Sequence, residues 1–339
     1  MDFHTNLVDA DWILHAASHS GEKKTIKAIE KQSGNEYDLK SRTELWGRKK
    51  SRDGGFLSEL NKSRTTPLTW EDFDIIDVQT PEEISNVLHT VKMMVQGVPK
   101  STGVEKTKLF VGEGKSFRYD RATLLEYKGT RSHNLTPVHK DAVKEYLIKH
   151  HGAEVITDLE VDDWVVCLGQ EKGNLVVSVD KDSMGCPIDL FNPMHTEWGI
   201  MDCRGLGKLW WDTTGKQKKL RGIGRKWLYT QILTGDNVDN IKPNAASSVE
   251  FGDVSAFNVI DVCMSDLECF KAIKEVYQKI YPEMVRVHHW NSTEDNPIIL
   301  NVDWRYALNE VWDLVRMRRT YDDVVTAEEV FTKHGLWEG

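Results

Sequence analysis

The stretch from residue 157 to residue 182, TDLEVDDWVVCLGQEKGNLVVSVDKD, joins a helix pattern that opens on carboxylates to a short apolar run. Glu160 and Asp163 are three positions apart, so they share one face of the predicted helix. The apolar run, residues 175–179, is rich in β-branched side chains and is typical of a strand buried on both faces. The pattern predicts an α/β fold with a central, mostly parallel sheet flanked by helices.

Carboxylates gather where this helix begins and this strand ends. Asp180 and Asp182 follow the C-terminal end of the strand, where ligands bind in open parallel sheets. Together with Glu160, Asp162 and Asp163 they would repel one another, by on the order of 4 kcal/mol for two charges about 4 Å apart at an effective dielectric of about 20. Oxygen ligands without His or Cys suit Mg²⁺ or Mn²⁺. We therefore expect a divalent-metal site.

A structural interpretation of the same stretch stays open. Thr157 and Glu160 fit a capping box, and the helix dipole favours acids in a first turn. The sequence Asp180-Lys181-Asp182 would equally suit a polar turn.

The composition is that of an ordinary globular chain. Its 339 residues, 40% hydrophobic and 29% charged, suffice for one large domain or two ordinary ones. No apolar run is long enough for a membrane helix, and the N-terminus lacks a secretory pattern. Five cysteines without a C-x-x-C pair indicate free thiols in a reducing compartment, so we expect a cytoplasmic protein.

Positive charge is concentrated in two segments, although the formal net charge is −9. Residues 22–64 hold twelve Lys or Arg against seven Asp or Glu, and residues 204–226 hold eight against one. Basic surfaces beside an acidic site suit a metal-dependent enzyme that acts on a polyanion. Each basic segment would equally fit a solvated face or a mobile loop.

Further strands and helices are predicted along the chain. A first strand at residues 5–8 is followed by Asp9 and Asp11 at a strand–helix junction. Residues 20–80 lack periodicity and are predicted to be a mostly exposed insertion, partly helical and partly mobile. The other predicted elements are helices at 81–96, 138–150, 225–233 and from 253, strands at 108–111 and 154–157, a hairpin around 213–216, and helices beyond 266 to about 319.

The loop GEGKSFRYDRATLLEYKGTR, residues 112–131, interleaves cations with aromatic side chains. Its aromatics could stack on bases, and its cations could contact phosphates. A charged surface loop is the alternative. After the helix at 225–233, Asp236 and Asp239 add two carboxylates at a glycine turn.

Taken together, five segments resemble the 5′-nuclease superfamily, which includes flap endonucleases, the 5′-nuclease domain of bacterial DNA polymerases and phage 5′→3′ exonucleases. The likeness is greatest to the exonucleases of small tailed phages, which would place the protein in the host bacterial cytoplasm. The matching segments, in family order, are VDADW at 8–12, FRYDRATLLEYKGTR at 117–131, LEVDDWV at 159–165, VSVDKD at 177–182 and LTGDNVDNI at 233–241.

The resemblance implies roles for individual residues. Lys128 and Arg131 would hold the scissile phosphate, Tyr127 would stack on a terminal base, and Arg118 would contact nucleic acid. Residues 252–256, with Gly252 and Ser255, would match part of a helix–hairpin–helix that grips the duplex backbone. The implied metal-binding carboxylates are Asp9, Glu160, Asp162, Asp163, Asp180, Asp182, Asp236 and Asp239.

Three departures from the family pattern stand out. The Asp that usually follows the second strand is replaced by Val111 or Gly112, and Glu113 is the nearest carboxylate, either substituting for it or leaving that ligand absent. The helix–hairpin–helix segment lacks the usual glycine density, which argues against the K⁺ that often binds there. Few residues separate Arg131 from Glu160, which leaves little room for a helical arch and favours an exonuclease on duplex ends.

The resemblance implies a two-domain organisation and a reaction. Residues 1–224 would form the nuclease core, with the insertion at about 20–80, and residues 225–339 a helical DNA-binding region. We expect a 5′→3′ exonuclease that hydrolyses duplex DNA with two Mg²⁺ or Mn²⁺ ions, with activity on flaps or RNA/DNA hybrids also open, and a monomeric protein that does not bind membranes. The alternatives are a non-catalytic DNA-binding relative and a haloacid-dehalogenase-type phosphatase, for which Asp9 would be the nucleophile.

Overall fold

Residues 2–48, 52–133 and 135–338 are described by the computed structural model, which contains both strands and helices. The strands are β1 (Thr5–Asp9), β2 (Glu22–Glu30), β3 (Glu36–Leu39), β4 (Phe73–Pro81), β5 (Thr107–Gly112), β6 (Glu154–Ile156), β7 (Asn174–Val177), β8 (Asp189–Phe191), β9 (Ile200–Asp202), β10 (Lys208–Asp212), β11 (Lys219–Ile223), β12 (Val285–His288) and β13 (Ile299–Val302). The helices are α1 (Asp11–Ser20), α2 (Arg42–Trp46), α3 (Gly55–Asn61), α4 (Ile84–Thr102), α5 (Arg118–Arg121), α6 (Lys140–His151), α7 (Val161–Gly169), α8 (Arg225–Thr234), α9 (Asp253–Ile260), α10 (Asp266–Ile280), α11 (Trp304–Val315) and α12 (Ala327–Lys333).

The largest sheet has six strands in the order β6-β5-β1-β7-β8-β9. All neighbours are parallel except β9, which runs antiparallel to β8. This confirms the predicted mostly parallel sheet flanked by helices. From β1 the chain continues to β5 on one side and later to β7 on the other. The C-terminal ends of β1 and β7 therefore flank a topological switch point, where ligands bind in open α/β sheets.

Contacts divide the chain into two units. The first comprises residues 1–12, 95–135 and 147–339, and the second residues 13–94 and 136–146. The domain boundary predicted after residue 224 lies inside the first unit.

The core of the first unit is centred on helix α8, whose residues from Lys226 to Leu233 are all buried. Helices α10 and α11 pack against it, and the buried hydroxyl of Tyr277 donates to the Ile232 carbonyl at 2.8 Å. Because the whole helix is buried, it fixes the position of the loop after β7, which it contacts at the edge of the sheet.

The second unit corrects the expectation for residues 20–80. Instead of a mostly exposed insertion, strands β3, β2 and β4 form an antiparallel sheet with helices α2 and α3. Its own core contains buried Ile26, Leu45, Leu57 and Phe73. Because this core shields apolar side chains from water, the segment is a folded element rather than a loop.

Two further expectations need correction. The run of helices predicted beyond residue 266 is interrupted by the antiparallel hairpin of β12 and β13. The predicted strand at 175–179 ends two residues early, at Val177, because the chain turns at Ser178. The predicted hairpin around 213–216 is confirmed as β10 and β11. None of the helices in the described parts of the chain is long and apolar enough to cross a membrane.

Candidate metal centre

The site is built from the end of the central strand outward. Asp9 is the last residue of β1, and its side chain is 7% exposed. Ser178, just beyond β7, donates its hydroxyl to Asp9 Oδ2 at 3.1 Å, and the Asp11 amide donates to Oδ1 at 3.1 Å. The two parallel strands thus present a buried carboxylate at the switch point.

The loop after β7 holds the next two carboxylates by backbone hydrogen bonds. The Asp180 amide donates to Ser178 Oγ at 3.1 Å, and the Asp182 amide donates to Asp180 Oδ1 at 2.8 Å. From α8, Gln231 donates to the Asp182 carboxylate, and Trp227 donates to the Lys181 carbonyl at 2.7 Å. This loop is therefore ordered by its own chain and by the buried helix.

Glu160 precedes helix α7 with extended backbone, and its side chain makes no cap hydrogen bond. It instead accepts hydrogen bonds from Lys128 at 2.7 Å and Ser116 at 3.0 Å. Since the helix begins at Val161, Thr157 is not its N-cap, and the capping-box interpretation is wrong.

Asp163 lies behind the carboxylate cluster and is fully buried. Both its oxygens accept from the Arg118 guanidinium, and Oδ1 also accepts from the Arg318 amide at 2.7 Å. Arg118 is 3% exposed and donates through Nε to the Leu314 carbonyl at 2.9 Å. Asp163 thus has a structural counter-ion, and Arg118 is buried rather than exposed as the prediction of a nucleic-acid contact requires. The metal-binding role of Asp163 stays a prediction.

Single oxygens of Glu160, Asp162 and Asp163 lie within 4.8 Å of one another, which is a spacing compatible with a cation. Asp163 is engaged by arginine and Glu160 by Lys128. Asp162 accepts only the Asp163 amide, at 2.7 Å, among the hydrogen bonds of the described residues. Asp162 is therefore the member of this group whose charge is least compensated.

The loop after α8 places Asp236 beside Lys181 and Asp239 beside the cations of residues 126–131. Lys181 pairs with Asp236 at 2.8 Å, and Arg131 pairs with Asp239. The Lys128 amide donates to the Asp239 carbonyl at 2.9 Å, so the two loops are fixed to each other.

Tyr127 does not have the role predicted for it. Its ring is 3% exposed, and its hydroxyl donates to Asp239 at 3.0 Å and lies 3.2 Å from both oxygens of Glu160. A ring buried to this degree presents no free face to a terminal base, and its hydroxyl contacts the carboxylates of Glu160 and Asp239.

At the end of β5, Asp11 occupies the space that a side chain at residue 112 would need. Its Oδ1 accepts from the Gly112 amide at 3.0 Å, and a Cβ on Gly112 would lie 3.0 Å from its Oδ2. Glu113 is exposed, and its amide donates to the Ile156 carbonyl at 2.8 Å. Asp11 is thus a carboxylate of this edge that the predicted ligand set omits, although the D-x-D spacing could have indicated it.

Four carboxyl groups of the site are buried and have raised pKa values. Burial, followed by repulsion from Asp11, raises the pKa of Asp9 to about 7. Burial, followed by neighbouring carboxylates, also raises the pKa of Asp162 and Asp182, and burial raises that of Asp180. Among the described residues, none of these four forms an ion pair within 4 Å.

Two other carboxylates of the site are compensated by cations. Burial alone would raise the pKa of Glu160, but the charges of Arg118 and Lys128 lower it below its usual value. Burial acts the same way on Asp236, and the hydrogen bond and charge of Lys181 lower its pKa. The carboxyl groups whose ionisation is disfavoured are therefore those of Asp9, Asp162, Asp180 and Asp182.

The pKa of Asp9 predicts a pH dependence of stability in the absence of metal. A carboxyl group whose pKa is raised on folding ionises first in the unfolded chain, so it destabilises the fold as pH rises from about 4 to about 7. In EDTA, Asp9→Asn should therefore gain stability over wild type across this window, by up to about 4 kcal/mol, and no further above it. Urea unfolding at several pH values measures this difference, and a constant difference would contradict the expected burial of an ionisable Asp9.

Gly252 and Ser255 lie at the start of helix α9, at its exposed end. Helix α9 packs inward through buried Ala256 and Ile260. The predicted grip on a DNA backbone stays a prediction.

Comparison with solved structures finds nucleases of bacteriophage T5. The chain is similar to the T5 D15 protein co-crystallised with metal ions, with 13% identity over 80% of this chain and 78% of that one and a TM-score of 0.40. It is also similar to a variant of the T5 D15 flap endonuclease in a pseudo-enzyme–product complex with DNA and metal ions. The identity is 16% over 54% of this chain and 70% of that one, and the TM-score is 0.35.

A T5 5′-exonuclease mutant shows a similar relationship, with 16% identity, coverage of 56% of this chain and 69% of that one, and a TM-score of 0.36. No family model matches the chain, and no curated protein matches it.

Proposed function

We propose that the protein is a metal-dependent nuclease that hydrolyses phosphodiester bonds of DNA from 5′ ends. The observation that carries this proposal is the group of four desolvated carboxylates without a cation partner, at the edge of the sheet where ligands bind. A site that only stabilised the fold would pair or neutralise such charges.

The donor set fits hard divalent cations. Carboxylate oxygens of Asp9, Asp162, Asp180 and Asp182 would hold the ions, with Glu160, Asp236 and Asp239 exchanging lysine and arginine contacts for metal contacts. Bound Mg²⁺ or Mn²⁺ would activate water and stabilise the leaving 3′-oxygen. Two ions suit the number of carboxylates on this edge. Nothing in the segment around Gly252 adds support for K⁺.

Lys128 and Arg131 would bind the scissile phosphate. Both lie on the loop that is fixed to residues 238–240, and both now pair with carboxylates of the site. If a phosphate entered and divalent ions neutralised those carboxylates, the two side chains would be released to donate hydrogen bonds to the phosphate oxygens. They would then offset negative charge that develops in the transition state.

The substrate we favour is duplex DNA with a 5′ end, bound by the protein as a monomer. The β10–β11 hairpin carries exposed Lys208, Lys216, Lys218 and Lys219, which would contact backbone phosphates without reading sequence. The exposed start of α9 offers amides for a further phosphate. Flaps and RNA/DNA hybrids share this backbone and remain candidate substrates.

Replacing Lys128 by Met should lower kcat by about a hundredfold and change KM much less, because its charge is needed most when negative charge develops on the phosphate. Steady-state cleavage of a labelled duplex in Mg²⁺ measures both constants. Lys115→Met, at an exposed lysine of the same loop, is the matched control. Equal effects of the two changes would argue against a specific role for Lys128.

The direct test of the proposed activity uses purified protein with a duplex labelled at the 5′ end and, separately, at the 3′ end. In Mg²⁺ we expect mononucleotides or short oligonucleotides to be released from the 5′ end, with no release in EDTA. A 5′-flap substrate assayed in parallel ranks flaps against duplex ends. Tight binding without cleavage in either Mg²⁺ or Mn²⁺ would favour a non-catalytic DNA-binding protein.

A further inference from the structure

Outside the carboxylate site, a small open cleft with a cavity volume of about 40 Å³ lies between α5 with the preceding Phe117 and the C-terminal segment 312–326. Both walls belong to the first unit. Aromatic carbon from Phe117 and Trp312 lines one part of the cleft, and three arginines, Arg121, Arg316 and Arg318, line the rest.

Arg318 has unused hydrogen-bonding capacity in this cleft. Its guanidinium carbon lies 4.0 Å from the centre of the Phe117 ring, and Nη1 donates to the Tyr321 carbonyl at 2.8 Å. Its Nε is buried and has no hydrogen-bond partner among the described residues. A buried donor without an acceptor costs about 1–3 kcal/mol, so the Arg318 guanidinium is not fully satisfied by the protein.

Positive charge dominates the cleft. Arg316 pairs with Asp323 at 2.7 Å, and Asp323 accepts further hydrogen bonds from the amides of Arg319 and Val325. Asp313 is the other carboxylate that lines the cleft, beside the exposed Arg121. Three guanidinium groups thus meet two carboxylates, one of which is already saturated with donors.

We propose that this cleft binds the phosphate group of a nucleotide or of a nucleic-acid strand. A guanidinium presents parallel N–H groups that match two phosphate oxygens, and Arg121 and Arg318 can approach one phosphate from the two walls. The rings of Phe117 and Trp312 would contact the apolar part of the same ligand. The cleft adjoins Asp163 through the amide of Arg318, but phosphate binding in it does not depend on hydrolysis at the carboxylates.

The test measures binding of inorganic phosphate to the full chain in EDTA, by thermal unfolding against a chloride series of equal ionic strength. Phosphate should raise the Tm of the wild type. The phosphate Kd should weaken by about three- to tenfold in Arg121→Gln and in Arg318→Gln, since each loses a charged hydrogen-bond donor. Arg286→Gln, at an exposed arginine of β12, should behave as wild type.

A second arm identifies the source of the phosphate. Oligonucleotides labelled at the 3′ end, with a 5′-phosphate or a 5′-hydroxyl, are titrated by fluorescence anisotropy. A preference for the 5′-phosphate that disappears in the cleft variants assigns the site to a strand end. Loss of the phosphate response in those variants without such a preference assigns it to free nucleotide or phosphate.

The proposal is overturned if wild type shows no response to phosphate, if the cleft variants respond as wild type does, or if Arg286→Gln loses the response equally. Because no arm requires cleavage, a protein without nuclease activity can still pass, and an active nuclease can still fail.

Discussion

Replacing Asp162 by Ala is expected to reduce Mg²⁺-dependent cleavage of duplex DNA by about a thousandfold or more. Asp162 is buried beside Glu160, and its carboxylate has no cation partner within 4 Å among the described residues. Removing it takes away the ligand that most needs a bound ion. DNA binding in EDTA should be retained or become tighter, because a negative charge near the phosphate is lost.

The matched control is Asp158→Ala, an exposed carboxylate four residues earlier in the chain. It should cleave at close to the wild-type rate. Initial rates on a 5′-labelled duplex, with circular dichroism to verify folding, measure both variants. If Asp162→Ala folds and still cleaves at the wild-type rate, the assignment of the metal site is wrong.

Replacing Arg118 by Met is expected to destabilise the fold by about 3–5 kcal/mol. The substitution leaves the fully buried Asp163 without the guanidinium that contacts both of its oxygens. It also removes the hydrogen bond to the Leu314 carbonyl, which joins helix α5 to helix α11. Urea unfolding in EDTA measures the loss without a contribution from bound metal.

A double variant separates the loss of the ion pair from simple damage to the core. Arg118→Met combined with Asp163→Leu removes both buried charges, and such replacements are often neutral or stabilising. The double variant should therefore be more stable than Arg118→Met alone. Two destabilisations that simply add would show that the ion pair is not the dominant contribution of these residues.

The edge of the sheet that carries the site could be predicted from local sequence. The β-branched run after residue 174 and the Asp9–Asp11 pair identify two strand ends, and parallel strands place their C-terminal ends at one edge. Asp9, Asp162, Asp180 and Asp182 all lie at that edge as expected. Local pattern sufficed here because each carboxylate is adjacent in sequence to the element that positions it.

Long-range pairing could not be predicted in the same way. Arg118 and Tyr127 looked like exposed nucleic-acid contacts because they lie in a glycine-bounded charged loop. Their partners, Asp163 and Asp239, are 45 and 112 residues away in the chain. Burial of an arginine becomes visible only when its distant counter-ion is known.

The sheet of the second unit could not be predicted from the sequence for a different reason. In β2 the inward positions include Ile26 and Ala28, but the next inward side chain is Glu30, which is 1% exposed. Its carboxylate accepts from the partly exposed Arg64 at 2.7 Å, so an ion pair occupies the position where an apolar residue would complete the alternation. Frequent lysines on the outward face further weaken the period-two signal.

The central claim, that the carboxylate edge binds divalent cations, is tested most directly by calorimetric titration of Mn²⁺ into the protein at neutral pH. Wild type should bind Mn²⁺ with release of protons, because the ions displace protons from carboxyl groups of raised pKa. Asp162→Asn should bind Mn²⁺ at least about tenfold more weakly than wild type, because a metal site that loses one of its ligands loses affinity. Equal Mn²⁺ affinity and equal proton release in the two proteins would contradict the account.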